Sequence, residues 1–130
     1  MSSTNSDWWT QHSSEQIRAL WDRLTEEVCE RVGATLVTRF EKQSLALENS
    51  SGRILLRGWP RSDSIRFGLW HPDRESAIGR LMNLGLRSRK GPVDHRFRFT
   101  LPSEPTAEVC ASVLDVLEEG VRGLDAESNE

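Results

Sequence analysis

The chain has 130 residues, the length of a single domain, and it can form a core without a disulfide or a metal ion to hold it. Hydrophobic residues make up 36% of it and charged residues 28%, so a chain that is disordered throughout is excluded. No apolar run approaches the ~20 residues that span a bilayer, and the first residues lack the basic flank and the apolar stretch of a secretory signal. We therefore expect a cytoplasmic protein with no membrane partner.

The formal net charge is −3, but the charge is divided unevenly along the chain. Residues 51–100 contain 11 basic and 4 acidic side chains, a net charge of +7, whereas residues 101–130 contain 1 and 8, a net charge of −7. Of the 17 basic residues, 15 are arginine, whose guanidinium group binds phosphates and carboxylates through paired hydrogen bonds and stacks on flat rings. The middle of the chain therefore predicts an anionic partner. The acidic C-terminal segment is the rival that would neutralise it, within the molecule or across a dimer.

Residues 1–12 are polar apart from Trp8 and Trp9, and we expect them to form a flexible tail. The tryptophan pair has two interpretations. In the first it folds back over the core, and in the second it is an exposed anchor for a partner.

A helix is predicted from about residue 14 to residue 32. Ser13 and Gln16 have the spacing of a capping box, and Gly33 is a natural stop because it accepts the left-handed conformation. One apolar stripe at helical spacing marks the face that is buried: Ile17, Leu20, Trp21, Leu24, Val28 and Val32.

Segments with the alternation of strands follow at residues 35–40, around 45–47, at 53–58 and at 64–70. In the last of these, apolar side chains occupy one face (Ile65, Phe67 and Leu69), and Arg66 and Trp70 lie on the other. This pattern is typical of a strand with one buried face.

A second helix is predicted from about residue 73 to residue 84, with Gly85 past its end. Residues 87–92 are expected to form an exposed basic loop. A strand is predicted over residues 93–101, where apolar and basic residues alternate.

The last helix is predicted to begin after Ser103 and to end at Gly123, and residues 125–130 are expected to be a flexible acidic tail. We therefore predict a single α+β domain over residues 13–124. Its fold is a two-layer sandwich, in which an antiparallel sheet of about five strands carries the N- and C-terminal helices on one face. The other face of the sheet is then open to solvent or to a partner.

No group of residues predicts a specific chemistry, so the sequence suggests no catalytic residue, no metal site and no cofactor. His12, His71 and His95 are scattered and lack both the spacing of metal ligands and the partners of a nucleophile triad. His95 is interpreted as a half-buried structural residue in its strand.

The predicted order of elements is also that of certain nucleases, which hold Mg²⁺ with an Asp on one strand and a Glu/Asp-x-Lys motif on the next. The lysines of this chain are Lys42 and Lys90, and neither has an acidic residue two positions before it. The nuclease interpretation is therefore not favoured.

Alternation predicts that arginine side chains converge on the open face of the sheet. Arg66, Arg96 and Arg98 lie on one face if their strands pair, and Trp70 joins them. Arginine beside an aromatic ring on an open sheet is suited to a phosphate backbone with stacked bases. The predicted binding residues are Arg66, Trp70, Arg87, Arg89, Lys90, Arg96 and Arg98.

Three functions are compatible with this surface. The first is a non-enzymatic binding module for an anionic partner, with nucleic acid as its first candidate. The second is a protein-interaction or homodimerising domain, in which Trp8 and Trp9 are anchors and the basic middle of one chain meets an acidic partner. The third is a small enzyme, for which no residues can be named.

The segments Thr38–Phe40, Ile54–Trp59, Ser64–Trp70 and His95–Leu101, set between an opening and a closing helix, resemble a small bacterial domain of unknown function. That domain accompanies nuclease-like proteins and predicted transport proteins. The resemblance covers about residues 14–122 and lies in strand spacing and hydrophobic pattern. It implies the α+β fold, and it implies no site residue, because the family has no established active site.

Overall fold

The computed structural model describes residues 3–128, and the side chains of residues 8–126. Within this part of the chain there are four helices and six strands, and none of these helices is long and apolar enough to cross a membrane. The helices are α1 (Ser3–His12), α2 (Glu15–Val32), α3 (Arg74–Asn83) and α4 (Ala107–Ser128). The strands are β1 (Val37–Phe40), β2 (Leu45–Glu48), β3 (Ile54–Pro60), β4 (Ser64–Trp70), β5 (Ser88–Lys90) and β6 (Arg96–Pro102).

The strands form one antiparallel sheet in the order β1-β2-β3-β4-β6-β5. The first four follow one another as hairpins. After β4 the chain passes through α3 to the edge strand β5 and returns as β6, which lies between β4 and β5. The predicted α+β sandwich is confirmed.

The sheet has one strand more than the sequence predicted. This strand is β5, which lies where the sequence predicted an exposed loop. Three polar residues are too few to show an alternating pattern, but their backbone pairs with β6, with Ser88 opposite Phe99. A hydrogen bond from Thr100 N to Arg87 O (3.0 Å) extends the pairing. The edge of the sheet is therefore basic, a common protection against pairing with other chains.

The core lies between one face of the sheet and the helices. At its centre the ring of Phe67 lies 5.9 Å from that of Trp21 on α2 and 5.2 Å from that of Phe99 on β6. Ile65 and Leu69 are buried beside Phe67, as alternation predicted. Burying each large apolar side chain contributes roughly 1.5–3 kcal/mol. The alternate positions of β4 and β6 are more exposed and lie on the open face.

The N-terminal segment is helical where the sequence predicted a flexible tail. Within α1, Trp9 is 6% exposed and belongs to the core, and the partly buried Trp8 packs against the core and stacks on His12 at 4.8 Å. The two tryptophans give this otherwise polar helix a face to bury, and tertiary packing of such a face is what stabilises short helices. The structure thus favours the first interpretation of the pair, in which it covers the core.

Both serines in the turn between α1 and α2 form hydrogen bonds with backbone groups at the helix ends. Ser14, and not Ser13 as predicted, is the N-cap of α2, and its Oγ accepts a hydrogen bond from Ile17 N at 3.2 Å. The hydroxyl of Ser13 instead donates to Trp9 O. Each serine therefore satisfies a backbone group that the helix ends leave free.

Helix α4 continues through Gly123, where the sequence predicted its end, as far as Ser128. A Cβ on Gly120 would collide with the carbonyl oxygen of Trp70, and a Cβ on Gly123 would lie 2.8 Å from Cζ3 of the Trp70 ring. Both glycines therefore allow close packing on the end of β4 and do not stop the helix. Of the predicted acidic tail at 125–130, the part to residue 128 is helical and the rest lies outside the described residues.

Gly120→Ala should destabilise the protein, because the new methyl group meets the backbone of Trp70 and α4 must move away from β4. We expect a loss of about 1–3 kcal/mol in the free energy of unfolding, the usual cost of overpacking. Gly79→Ala in α3 is the matched control, since nothing lies within 4 Å of its new Cβ. It should gain about 0.5–1 kcal/mol from helix propensity. Urea denaturation measures both changes, and equal effects of the two substitutions would contradict the close packing of α4.

Candidate nucleic-acid interface

Rows of cross-strand neighbours run across the open face of the sheet. The first row holds Arg57, Gly68, Arg98 and Arg89, the second Trp59, Arg66 and Thr100, and the third Trp70 and Arg96. Residues directly opposite each other in a sheet share a face, with Cβ atoms about 5 Å apart. Arg66, Arg96 and Arg98 therefore lie on the same side of the sheet.

A loop and a connecting segment add two further arginines. Arg61 follows β3 and Arg87 precedes β5, and both line one groove with Arg66. We define the basic face as Arg57, Arg61, Arg66, Arg87, Arg89, Arg96 and Arg98 together with Trp59.

Almost all guanidinium groups of the basic face lack a carboxylate partner. Among the described residues, only Arg57 has one, with its Nε 3.1 Å from Oε1 of Glu41. Arg89 and Arg98 are directly opposite each other on β5 and β6, where like charges are destabilising. The face therefore carries positive charge that the fold does not compensate.

Burial and the neighbouring positive charges lower the pKa values of two arginines of the basic face. The pKa of Arg66 lies below its ordinary value, first because burial removes the guanidinium from water and then because other arginines lie near it. These neighbours are Arg61, Arg98 and Arg89. The pKa of Arg96 is lowered by burial and by the nearby charges of Arg53 and Arg57.

Trp59 is the aromatic residue of the basic face. Its ring covers Gly68, where a Cβ would lie 2.9 Å from Cζ3 of the indole. Arg98 lies over the same ring, with Cζ 5.2 Å from its centroid. The predicted strand ended at residue 58, but β3 extends to Pro60, and the spacing of two from Arg57 to Trp59 is the signal that places both on one face.

Two of the predicted binding residues contact other parts of the molecule. Trp70 lies opposite Arg96 at the end of β4, but its ring packs against Gly123 of α4, so only part of it is available at the face that carries the three arginines. Lys90 occupies an alternate position of β5 and forms an ion pair with Glu75 of α3. Trp59 takes the place in the basic face that the sequence had given to Trp70.

The acidic residues of α4 are paired within the helix layer. Asp115 and Glu118 lie 3.0 and 3.4 Å from Nη1 of Arg31 on α2. Glu119 accepts a hydrogen bond of 3.2 Å from Arg80 on α3. Among the described residues, these carboxylates therefore neutralise arginines on the helices and not those of the basic face, against the expectation that they neutralise the basic face within the molecule.

The largest groove of the basic face has a volume of about 600 Å³. Arg61, Arg66 and Arg87 line it, together with the acidic residues Asp63 and Glu104. Basic side chains around a concave surface focus the positive potential there.

Smaller depressions continue this groove across the sheet. One of about 170 Å³ shares Arg66 and Arg87 with the groove and extends it to Arg98. The next, of about 250 Å³, begins at Arg98 and is lined by Trp59 and Arg96. Successive depressions along β4 and β6 thus share lining arginines.

The histidines make structural contacts. His71 is 4% exposed, its Nδ1 accepts a hydrogen bond from Asp73 N at 2.9 Å, and its Nε2 lies 3.0 Å from Glu119 Oε1. His95 was expected within a strand, but it is exposed in the turn before β6 with a φ of 66°, a left-handed conformation that histidine accepts more readily than most residues. In the described part of the chain, no group of three or more His, Cys, Asp or Glu residues could hold a metal ion.

A scan against protein-family models and a search of the curated proteins find no match to this chain. The resemblance to a small bacterial domain stays a prediction. The geometry of the basic face is therefore the basis on which function is inferred.

Arg89→Gln should stabilise the protein at low salt, because it removes the positive charge opposite Arg98. We expect a gain of about 0.2–1 kcal/mol in the free energy of unfolding at ~0.01 M salt. The gain should disappear at ~1 M salt, where charges are screened beyond about 3 Å. Arg80→Gln is the matched control and should destabilise, since it loses the ion pair with Glu119. A salt-independent effect of Arg89→Gln would contradict the repulsion.

Glu119→Gln should destabilise the protein near neutral pH but not in acid. The hydrogen bond from Arg80 outweighs burial and, with that from His71, holds the pKa of Glu119 below its ordinary value. A folded-state pKa that is lowered stabilises the protein above the unfolded pKa of about 4.3, and this contribution is lost as the pH falls through the folded value. For a half-exposed pair we expect about 0.2–1 kcal/mol at pH ~6, and the difference should disappear once the pH falls below the folded-state pKa of Glu119, as measured by denaturant unfolding. A difference that grows in acid would contradict this assignment.

Proposed function

We propose that this protein is a non-enzymatic binding module that engages nucleic acid through the basic face. One observation carries the proposal: arginines converge on one face of the sheet, and among the described residues they have no carboxylate partner. These arginines are Arg61, Arg66, Arg87, Arg89, Arg96 and Arg98. Guanidinium groups that the fold leaves uncompensated gain most from phosphates, which they bind through paired hydrogen bonds.

The shape of the basic face favours a polymeric anion over a small one. Its path of depressions follows β4 and β6, each of seven residues and therefore roughly 20 Å long. About six nucleotides of one strand cover that length, at about 3.4 Å per nucleotide. A polyanion of that size can meet several arginines at once and release the counterions that they and the phosphates hold.

The alternative of an acidic protein, or of a second copy of this chain, has less support. The carboxylates of α4 that a second copy would offer are already paired with Arg31 and Arg80. Trp9, one of the two suggested anchors, is buried in the core. A nucleic-acid partner also agrees with the cytoplasmic location that we propose from the sequence.

Binding to short fluorescein-labelled DNA and RNA, followed by fluorescence anisotropy, tests the proposal. If about four phosphates are neutralised, log K should fall against log salt with a slope of about −3, so that affinity drops about 60-fold between ~50 and ~200 mM salt. Arg98→Glu should weaken binding at least about tenfold at ~50 mM salt, and Arg66→Glu with Arg98→Glu should abolish it. These substitutions replace attraction to phosphate by repulsion.

Arg23→Glu is the matched control, because it changes the charge equally at an exposed position of α2. It should alter affinity by less than about twofold. The proposal is wrong if the protein does not bind at ~50 mM salt, or if Arg23→Glu and Arg98→Glu weaken binding equally. Equal affinity for polyglutamate of the same charge would point to an acidic protein partner instead.

A further inference from the structure

We propose that the depression of about 250 Å³ beside Trp59 is a subsite for one unstacked base of a single-stranded nucleic acid. The inference rests on the proposed function and narrows it to single strands whose bases are free. The base stacks on the indole of Trp59, and the phosphates beside it contact the arginines of the basic face.

The depression combines an apolar interior with a basic rim. Trp59 and Gly68 line it on the sheet, and Pro92 and Val93 line it from the turn before β6. Val93 is 61% exposed, so its apolar side chain is accessible to a ligand in the depression. The basic side chains around the depression are Arg57, Arg96 and Arg98. Such a pairing of flat apolar surface with positive charge matches a nucleotide, which joins an aromatic base to a phosphate.

The turn that forms the second wall is held by hydrogen bonds from one partly buried guanidinium group to three carbonyl oxygens. Nη1 of Arg74 donates to the carbonyl oxygens of Gly91, Val93 and Arg96 at 3.5, 2.9 and 3.0 Å. Gly91 N also donates to Arg96 O at 2.9 Å. The wall is therefore fixed before a ligand binds, and a preorganised site loses little conformational entropy on binding.

Gly68 explains why the indole lies across the sheet. Any side chain at this position would displace the ring, because a Cβ would lie 2.9 and 3.1 Å from Cζ3 and Cη2 of Trp59. With glycine there, one side of the ring rests on the strand. The guanidinium of Arg98 lies over the ring, with Cζ 5.2 Å from its centroid.

Arg98 holds the place that the base would take. An exposed cation–π contact is worth about two- to fivefold in an equilibrium constant, whereas base–aromatic stacking is worth about five- to a hundredfold. Exchange of the guanidinium for a base is therefore favourable, and the long side chain of Arg98 is then free to bind the adjacent phosphate. Paired bases in a duplex do not present their faces, so a duplex cannot make this exchange without unstacking.

The test compares a thymidine decamer with an abasic decamer of the same length and charge, for the wild type, Trp59→Leu and Arg98→Gln. The wild type should bind the thymidine strand at least about fivefold more tightly than the abasic strand. In Trp59→Leu this ratio should fall to about one, with affinity for the abasic strand changed less than about twofold. In Arg98→Gln affinity for both strands should fall, while the ratio is kept or rises.

The outcomes separate this inference from the proposed function. If neither the decamers nor a hairpin duplex of equal charge binds the wild type, the proposed function fails. If only the duplex binds, the proposed function stands and the base subsite is wrong. If both bind equally, or a hairpin duplex of equal charge binds as tightly as the thymidine decamer, the proposed function stands and the base subsite is wrong. Loss of the ratio in Arg98→Gln would overturn the exchange of Arg98 for a base.

Trp59→Phe keeps an aromatic ring and guards against a Trp59→Leu variant that fails to fold. It should retain most of the preference for the thymidine strand. Comparing its fluorescence with that of the wild type also isolates the emission of Trp59 from that of the other four tryptophans. Thymidine decamer should quench this component and abasic decamer should not. Equal quenching by both would contradict stacking on Trp59.

Discussion

The pairing of β4 with β6 is the constraint on which the rest of the structure depends. Each strand has seven residues, and the register places Phe67 opposite Phe99 and Gly68 opposite Arg98. Because the aromatic side chains must be buried under the helices, the side chains between them must lie on the other face. A shift of the register by one residue would expose the phenyl rings and bury the guanidinium groups. The hydrophobic core therefore determines where the basic face lies, although no residue of the basic face contributes to that core.

This constraint is local in the sequence, which is why alternation was enough to predict it. The spacing of Ile65, Phe67 and Leu69 gave the buried face of β4, and Arg66 followed from it. The buried face of α2 was equally predictable, because its buried residues recur at helical spacing. Helix ends were less predictable: Gly123 has the character of a stop signal, yet it lies inside α4, because close packing on β4 requires a residue without a Cβ there.

The residues that the sequence misplaced are those whose surroundings come from distant parts of the chain. Alternation does not reveal that Trp70 packs against α4, or that Lys90 meets Glu75 of α3. The edge strand β5 exists only because β6 offers its backbone, so three polar residues gave no signal of it. Trp59 was missed for a different reason. Its spacing from Arg57 was visible, but the predicted strand ended at residue 58, before Trp59 and Pro60, and a proline cannot donate a hydrogen bond to a neighbouring strand.

The separation of charge between the two layers explains how a protein with a net charge of −3 can attract a polyanion. The carboxylates of α4 lie in the helix layer and are held there by arginines of α2 and α3. A helix is about 10–12 Å thick with its side chains, whereas charges in physiological salt are screened beyond about 8 Å. A polyanion at the open face therefore experiences the arginines of the sheet much more strongly than the acidic residues behind them. For the partner that we propose, the same separation would orient the approach, because the arginines without a carboxylate partner in the described part of the sheet lie on its open face. The net charge of this protein is consequently a poor guide to its partner. The distribution of charge between the helix layer and the sheet is a better one.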